Sequence, residues 1–286
     1  MIPRPDEAPW PRVSVVTLTC GSLDVTTACL RSVAACEYPD MEIVVVSNGA
    51  GPAVESGLRA FAERMRACSV LVRVIGYATN LGACTARNLA LGDVEGEFVA
   101  FIDNDILCND GLWLRRAVAI LRNDQNVGMV GPRIVAVARP AELECAGYAI
   151  HPRGKVFPLG QGESVADPRW RVVRPVQAVG NFVSRAKTLR SIGGFDTDFD
   201  PFGFENVECG CRFRAAGYSV ICDGQSDLLH VGHVTTGSFG EKHRSILFSK
   251  SLLLRKRWGL LFSSDREFFA RLIENEASAD QMGASA

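Results

Sequence analysis

No stretch of this 286-residue chain stays apolar for the roughly 20 residues that a membrane-spanning helix requires. The opening, Met1 to Pro9, is polar and proline-rich and lacks the apolar centre of a secretion signal. A cytoplasmic protein is therefore expected. Charge of one sign is missing too. Lys and Arg number 31 against 32 Asp and Glu, a formal net charge of −1, which excludes a bulk electrostatic pull toward nucleic acid. The ten cysteines include no C-x-x-C pair, and Cys209-x-Cys211 is too tight for the usual zinc spacing. Without a secretion signal no disulfide framework is expected, so cysteines flanked by apolar residues read as small core hydrophobes. Repeats and low-complexity tracts are absent. What remains is ordinary globular composition, 47% hydrophobic and 22% charged, enough to bury the core of one large domain or two closely joined ones.

Apolar β-branched runs at 13–19, 42–47, 70–75, 97–102 and 127–135 read as strands. Helical spacing fills the intervals 25–36, 53–67, 80–91 and 112–122. Such alternation predicts a parallel sheet with helices on both faces. Periodicity lapses from 136 to 175, a stretch rich in Pro, Gly and Arg that holds either a hairpin or a mobile loop. Strand character returns over 175–184, a helix over 206–216 and a late strand over 219–222. Helices over 241–259 and 266–273 close the chain, and the tail from Ser278 reads as disordered. Arg255-Lys-Arg257-Trp258 reads as the solvated end of the first of these helices, with a membrane-surface patch as the alternative.

The chemistry concentrates where the fourth strand ends, at Asp103-Asn104-Asp105. A carboxylate at the end of a buried strand carries a desolvation cost, and two within three residues repel unless a cation or solvent lies between them. A divalent metal is the economical reading, because open α/β sheets bind ligands outside the carboxyl ends of their strands. The competing reading is a solvated turn. Farther on, Glu205 and Glu208 lie three apart, on neighbouring turns of one helix face. They serve either as catalytic carboxylates or as favourable charges at a helix N-terminus.

These residues sit within a wider pattern. The opening strand, Ser47-Asn48-Gly49, Asn80-Leu-Gly-Ala-Cys-Thr-Ala-Arg-Asn88, Phe101-Ile-Asp-Asn-Asp105, Gly180-Asn-Phe-Val-Ser-Arg185, Gly193-Gly-Phe-Asp196 and Phe204-Glu-Asn-Val-Glu-Cys209 together resemble the GT-A-fold glycosyltransferases of family 2, over roughly residues 12–260. The resemblance implies a GT-A fold of class α/β, with a Rossmann-like, mostly parallel central sheet flanked by helices, a small additional acceptor-side sheet and C-terminal helices. It divides the chain into a nucleotide-sugar half at 1–135, an acceptor and catalytic half at 136–240, and C-terminal helices with a flexible tail at 241–286. It implies a metal-dependent enzyme that moves a sugar from a nucleotide-diphosphate sugar to an acceptor hydroxyl, with Mn²⁺ or Mg²⁺ as cofactor. Both are hard ions suited to oxygen ligands.

By the same resemblance Asp103 and Asp105 match the D-x-D metal motif, with Asn104 between them on the donor. Thr17 and Thr19 cradle the nucleobase and ribose, joined by Ser47 where relatives usually carry aspartate. Asn80, Gly82 and Arg87 line the nucleotide site, Arg87 reaching either the diphosphate or Asp103. Asn181 lies against the donor sugar. Asn206 stands in the position of the inverting enzymes' catalytic aspartate, leaving Glu208 or Glu205 as the base. A second likeness, of Glu205-Asn-Val-Glu208 and Val231-Gly-His-Val234, is to the retaining polypeptide GalNAc-transferases of family 27, and it makes His233 the third metal ligand. The readings in order are inverting transfer, retaining transfer and a non-catalytic sugar-nucleotide binder. A nucleotidyltransferase is weaker still, because Cys20-Gly-Ser-Leu23 is not a glycine-rich phosphate loop. Expected partners are the donor and an acceptor of open identity (saccharide, natural product, lipid-linked or peptide), with peripheral membrane contact allowed and no nucleic acid.

Overall fold

The structure, a computed structural model, describes residues 9–232 and 240–277. Its first half alternates strand and helix: β1 Val13–Thr19, α1 Leu23–Ala34, β2 Met41–Asn48, α2 Pro52–Ala67, β3 Leu71–Tyr77, α3 Ala83–Asp93 and β4 Phe98–Asp103. After β5 (Ile106–Leu107), α4 (Trp113–Asn123) and β6 (Val127–Ala136) come three short strands, β7 Leu143–Cys145, β8 Tyr148–Ile150 and β9 Val156–Pro158. The remainder holds β10 Val173–Val176, β11 Phe182–Arg185, α5 Ala186–Ser191, α6 Glu205–Ala215, β12 Ser219–His230, α7 Gly240–Ser264 and α8 Arg266–Ala277.

The main sheet runs β10-β12-β6-β11-β4-β1-β2-β3, with β5 pairing β12 and β7 pairing β6 off that path. The stretch β4-β1-β2-β3 is parallel throughout. Beyond it β11 is antiparallel to both β4 and β6, while β6 and β12 are parallel. The strand order therefore reverses at β1, whose neighbours are β2 and β4. A crevice opens beyond the carboxyl ends of strands at such a reversal.

Both sheet faces are covered, because successive strand residues point to opposite sides. Val13, Val15, Ile43 and Val45 pack with Leu30 of α1, Phe61 of α2 and Trp113 of α4. Val16, Val44 and Val46 pack into a second core with Ala86 of α3, Phe213 of α6, and Leu254 and Phe262 of α7. Eight of the ten cysteines are buried, Cys20 is half-buried and Cys68 is exposed, the placement expected of small apolar side chains. Among the described residues no helix is long and apolar enough to cross a membrane.

Two elements differ from the sequence pattern. The run 175–184 is split into β10 and β11 by a non-strand segment that contains Gly180-Asn181. The late strand continues past Cys222 to His230, through a register shift between Asp223 and Asp227 against β6. Asp223-Gly-Gln-Ser-Asp227 has turn composition, yet it is held within the strand. A Cβ on Gly224 would lie 2.2 Å from the Trp170 carbonyl oxygen, so close backbone approach requires glycine there.

Candidate active site

A cavity of about 480 Å³ opens beyond the carboxyl ends of β1 and β4, within the usual range for small-molecule sites. Thr19, Asn48, Asn80, Arg87, Asp103, Asn104, Asp105 and Asn181 line one part of it. Glu144, Tyr148, Phe202, Phe204, Glu205, Asn206, His230, His243 and Leu247 line the other.

One wall of the cavity is built largely by asparagines. Asn48, at the end of β2, accepts from the Leu81 amide at 2.8 Å and donates to Asn80 Oδ1 at 3.1 Å. Asn80 in turn accepts from the Gly82 amide at 2.8 Å. Gly82 has φ +91°, and a Cβ there would lie 2.3 Å from Asp200. That carboxylate caps α3, accepting from the Cys84 amide at 2.7 Å and from Thr85 Oγ1 at 2.5 Å. Asn104 donates to Thr26 Oγ1 at 3.0 Å and Thr19 Oγ1 at 3.4 Å, which ties the aspartate turn to α1. Asn181 Oδ1 accepts from the Asp103 amide at 2.8 Å.

The structure brings Thr19, Asn80, Arg87, Asp103, Asn104, Asp105, Asn181, Glu205 and Asn206 to the cavity wall. Thr17 and Ser47 lie elsewhere. Both are about 1% exposed, and among the described residues their hydroxyls have no hydrogen-bond partner. Asn48, next to Ser47, faces the cavity in its place. Trp170 is buried, donates to Glu163 at 2.8 Å and carries Arg174 over its ring at 4.1 Å, so it anchors its loop.

The two glutamates of α6 separate. Glu208 is 0% exposed, absent from the cavity lining, and holds Arg212 Nε at 2.9 and 3.0 Å with Trp258 Nε1 at 3.3 Å. Burial raises its pKa above the ordinary carboxyl value, and Arg212 opposes the rise. The expectation of Glu208 as base thus meets a side chain whose acceptors face away from the cavity. Glu205 does face it, accepting from the Gly203 amide at 2.6 Å and lying 3.4 Å from Arg87. Arg87, nearly buried, also donates to Asp103 at 2.9 Å and to Asn206 Oδ1 at 3.1 Å. It therefore ties the aspartate motif to the start of α6.

A carboxylate–histidine–carboxylate relay occupies the far wall. β5 pairs antiparallel with the end of β12, setting His230 opposite Ile106, and the Val231 amide donates to the Asp105 carbonyl at 2.9 Å. This register leaves His230 Nε2 3.3 Å from Asp105 Oδ2. On the other side of the ring, Nδ1 lies 2.8 and 2.9 Å from the two Glu144 oxygens. Hydrogen bonds to Asp105 first, then to Glu144, raise the His230 pKa to about 10. His233, the residue expected from the sequence as a metal ligand, lies outside the described residues. His230 has a weaker claim than His233 in the sequence, where the strand that carries it reads only to residue 222, and Glu144 falls unmarked in the stretch without periodicity.

The donor chemistry of this wall suits a hard divalent ion with the substrate completing the shell. Among the described residues no three His, Cys, Asp or Glu side chains converge as a full metal cage. Asp105 and His230 Nε2 do converge, and Glu144 on the opposite nitrogen orients the ring. Mg²⁺-type sites use one or two protein ligands with substrate phosphates and water, and Mn²⁺ accepts imidazole alongside oxygen. The residues present therefore fit such an ion.

A parallel sheet with a strand reversal, an aspartate turn at that reversal and a cavity shared with a second, mixed-sheet half define a GT-A-type architecture. The mannosyltransferase of Pyrobaculum calidifontis, solved with GDP-Man and Mn²⁺, superposes with a TM-score of 0.60 at 20% identity, covering 98% of this chain and 78% of that one. GalNAc-T7, solved with UDP, GalNAc and Mn²⁺, superposes with a TM-score of 0.61 at 16% identity, covering 79% of this chain and 44% of that one. Residues 14–143, 130 of the 286, match the family model Glycosyl transferase family 2, and together with these neighbours the match supports a GT-A glycosyltransferase of family 2. The O-antigen biosynthesis protein RfbC of Myxococcus xanthus is 25% identical over 232 residues. That match covers 77% of this chain and 17% of RfbC, so the chain spans about a sixth of that relative.

Proposed function

We propose that the chain transfers a glycosyl group from a nucleoside-diphosphate sugar to an acceptor hydroxyl, with a divalent metal ion, and with inversion at the anomeric carbon. The observation that supports this reading above others is the meeting of Asp105, His230 and Glu144 beside the cavity at the end of β4, from three separate parts of the chain.

In this reading Asn48 and Asn80, with Thr19, receive the nucleoside, and Asn181 and Asn104 border the diphosphate and sugar. Asp105 and His230 would hold the ion once Nε2 gives up its proton, while Glu144 keeps the proton on His230 Nδ1. A divalent ion bound there supplies positive charge against the departing diphosphate. Arg87 holds Asp103 and the start of α6 at fixed separation. Glu205 is the base. Of the four acidic residues on the cavity wall among the described residues, Asp103 accepts from Arg87 at 2.9 Å, Asp105 and Glu144 flank His230, and Glu205 stands farther from Arg87, at 3.4 Å. Glu205 takes the proton from the acceptor hydroxyl as its oxygen bonds to the anomeric carbon, and the bond from that carbon to the diphosphate oxygen breaks.

One observation favours a second reading, retention. Asn206, whose carboxamide is no base, accepts from Arg87 at the start of α6. Thermal-shift screening with UDP-, GDP- and dTDP-sugars, with and without Mn²⁺, tests the donor and metal claims. Stabilisation that needs both metal and one nucleotide class is expected, with loss in Asp105→Ala and His230→Ala. A donor shift unaffected by metal and by both substitutions refutes the metal site. The product's anomeric configuration by NMR separates inversion from retention.

A further inference from the structure

Most exposed large apolar residues of this protein are scattered singly, which is ordinary for a folded surface. Helix α7 is different. Phe248 is 65% exposed, Leu252 51% and Leu260 90%, all on one helix. At about 100° per residue, Phe248, Arg255 and Lys256 fall within about 60° of Leu252, and Leu260 within about 80°. All of them are exposed. From Gly240 to Ser264 the helix carries six Lys or Arg and a single acidic residue, Glu241. Arg257 is paired with Asp196 and Asp198, and Lys250 donates to the Asp198 carbonyl, so both are tied to the protein. Arg255 and Lys256 form no ion pair among the described residues and flank the apolar centre.

The sequence motif Arg255-Lys-Arg257-Trp258 is thus not a helix end. It lies in mid-helix, with Trp258 turned inward to Glu208 and the first two cations outward. An exposed stripe of Phe and Leu bordered by cations, on a helix buried opposite Leu252 at Leu254 and on one flank at Phe262, has the chemistry of an interfacial helix. Cationic borders next to exposed apolar side chains complement an anionic bilayer, where lipid phosphates meet the cations and acyl chains the rings and branches.

We infer that the outward face of α7, centred on Phe248 and Leu252 and bordered by Arg255 and Lys256, is a peripheral docking surface for an anionic lipid bilayer. His243 and Leu247, on the inward side of the same helix, line the cavity. Docking therefore brings that wall of the cavity close to the lipid surface. The inference stands apart from the proposed transfer reaction, since it is read without donor or metal.

The test is co-sedimentation of the full chain with vesicles of equimolar phosphatidylglycerol and phosphatidylcholine, against vesicles of phosphatidylcholine alone. Binding to the first, weakened by salt, and little to the second are expected. Arg255→Gln with Lys256→Gln should lower partitioning about thirtyfold, and Phe248→Ser with Leu252→Ser should lower it also. Each variant is checked for an unchanged melting temperature. If the double serine variant does not fold, Leu260→Ser, at the most exposed of the three positions, takes its place. Absence of binding to anionic vesicles, or binding unchanged by these substitutions, overturns the inference. Self-association in sedimentation velocity that the serine variants abolish, without vesicle binding, overturns it in favour of a second copy on this face.

Discussion

Replacing Glu144 by Ala tests the metal site without touching a residue that would bind the ion. The perturbation removes both oxygens from His230 Nδ1, now at 2.8 and 2.9 Å. The ring keeps its Asp105 contact at 3.3 Å and loses the carboxylate that orients it through Nδ1. Losses of this kind typically cost 10–100-fold in metal affinity. The Glu144 side chain is 33% exposed and that of His230 17%, so solvent screens part of the interaction. The lower end, about tenfold or 1.4 kcal/mol, is expected. Glu144→Gln retains a carbonyl acceptor and gives up only the charge assistance, so it should lose about threefold to fivefold. Mn²⁺ titration followed by electron paramagnetic resonance, at one pH and with a nucleoside diphosphate present, reads the affinity directly. Turnover need not be measured. The reasoning fails if Glu144→Ala binds Mn²⁺ as tightly as the parent, or if Gln and Ala are equally impaired.

Glu208→Gln is expected to lower stability by about 1–3 kcal/mol, because Arg212 and Trp258 lose their charged acceptor in the interior, while donor-induced thermal shifts stay as in the parent. A large fall in turnover at unchanged melting temperature would restore Glu208 as the base. Glu42, buried between β1 and β3, governs part of the acid response. Burial would raise its pKa, but Ser14, the Glu95 amide and Arg73 outweigh that and hold it below the ordinary 4.5. A carboxyl depressed on folding stabilises fully above 4.5, and that stabilisation is lost as pH falls through the folded value. Glu42→Gln should therefore melt lower at neutral pH and show a shallower decline on acidification, and parallel melting curves would contradict this. Gly82→Ala, at φ +91° and against Asp200, should destabilise by more than about 1 kcal/mol and weaken donor-induced stabilisation, read by thermal shift.

Legibility in the sequence followed the locality of the interactions. β1 to β4 and their helices were readable because the strands are apolar, β-branched runs that end at turn residues, as at Cys20-Gly21 and Asn48-Gly49. The aspartate turn was visible for the same reason: charge breaks an apolar run abruptly. Depth within the site was not visible. Ser47 and Asn48 are adjacent, and strand alternation, not residue type, decides which of them reaches the cavity. Glu205 and Glu208 share a helix, yet the contact with Arg212 and Trp258 draws only the second inward. The place of His230 beside Asp105 was hidden because its strand passes through Asp223-Gly-Gln-Ser-Asp227, whose composition signals a turn and whose extended course depends on pairing with β6 across nearly a hundred residues.

The two-residue strand β5 has an effect out of proportion to its length. It hangs on β12 alone, and that pairing is the physical link between Asp105 and a histidine 125 positions later. The segment matching the family ends at residue 143, before either Glu144 or His230. A fragment cut there would keep its aspartates and lose the imidazole. Moving 219–264 of this chain into a relative, by contrast, would carry over the ring facing Asp105, the part of α7 that lines the cavity, and the outward stripe as one unit.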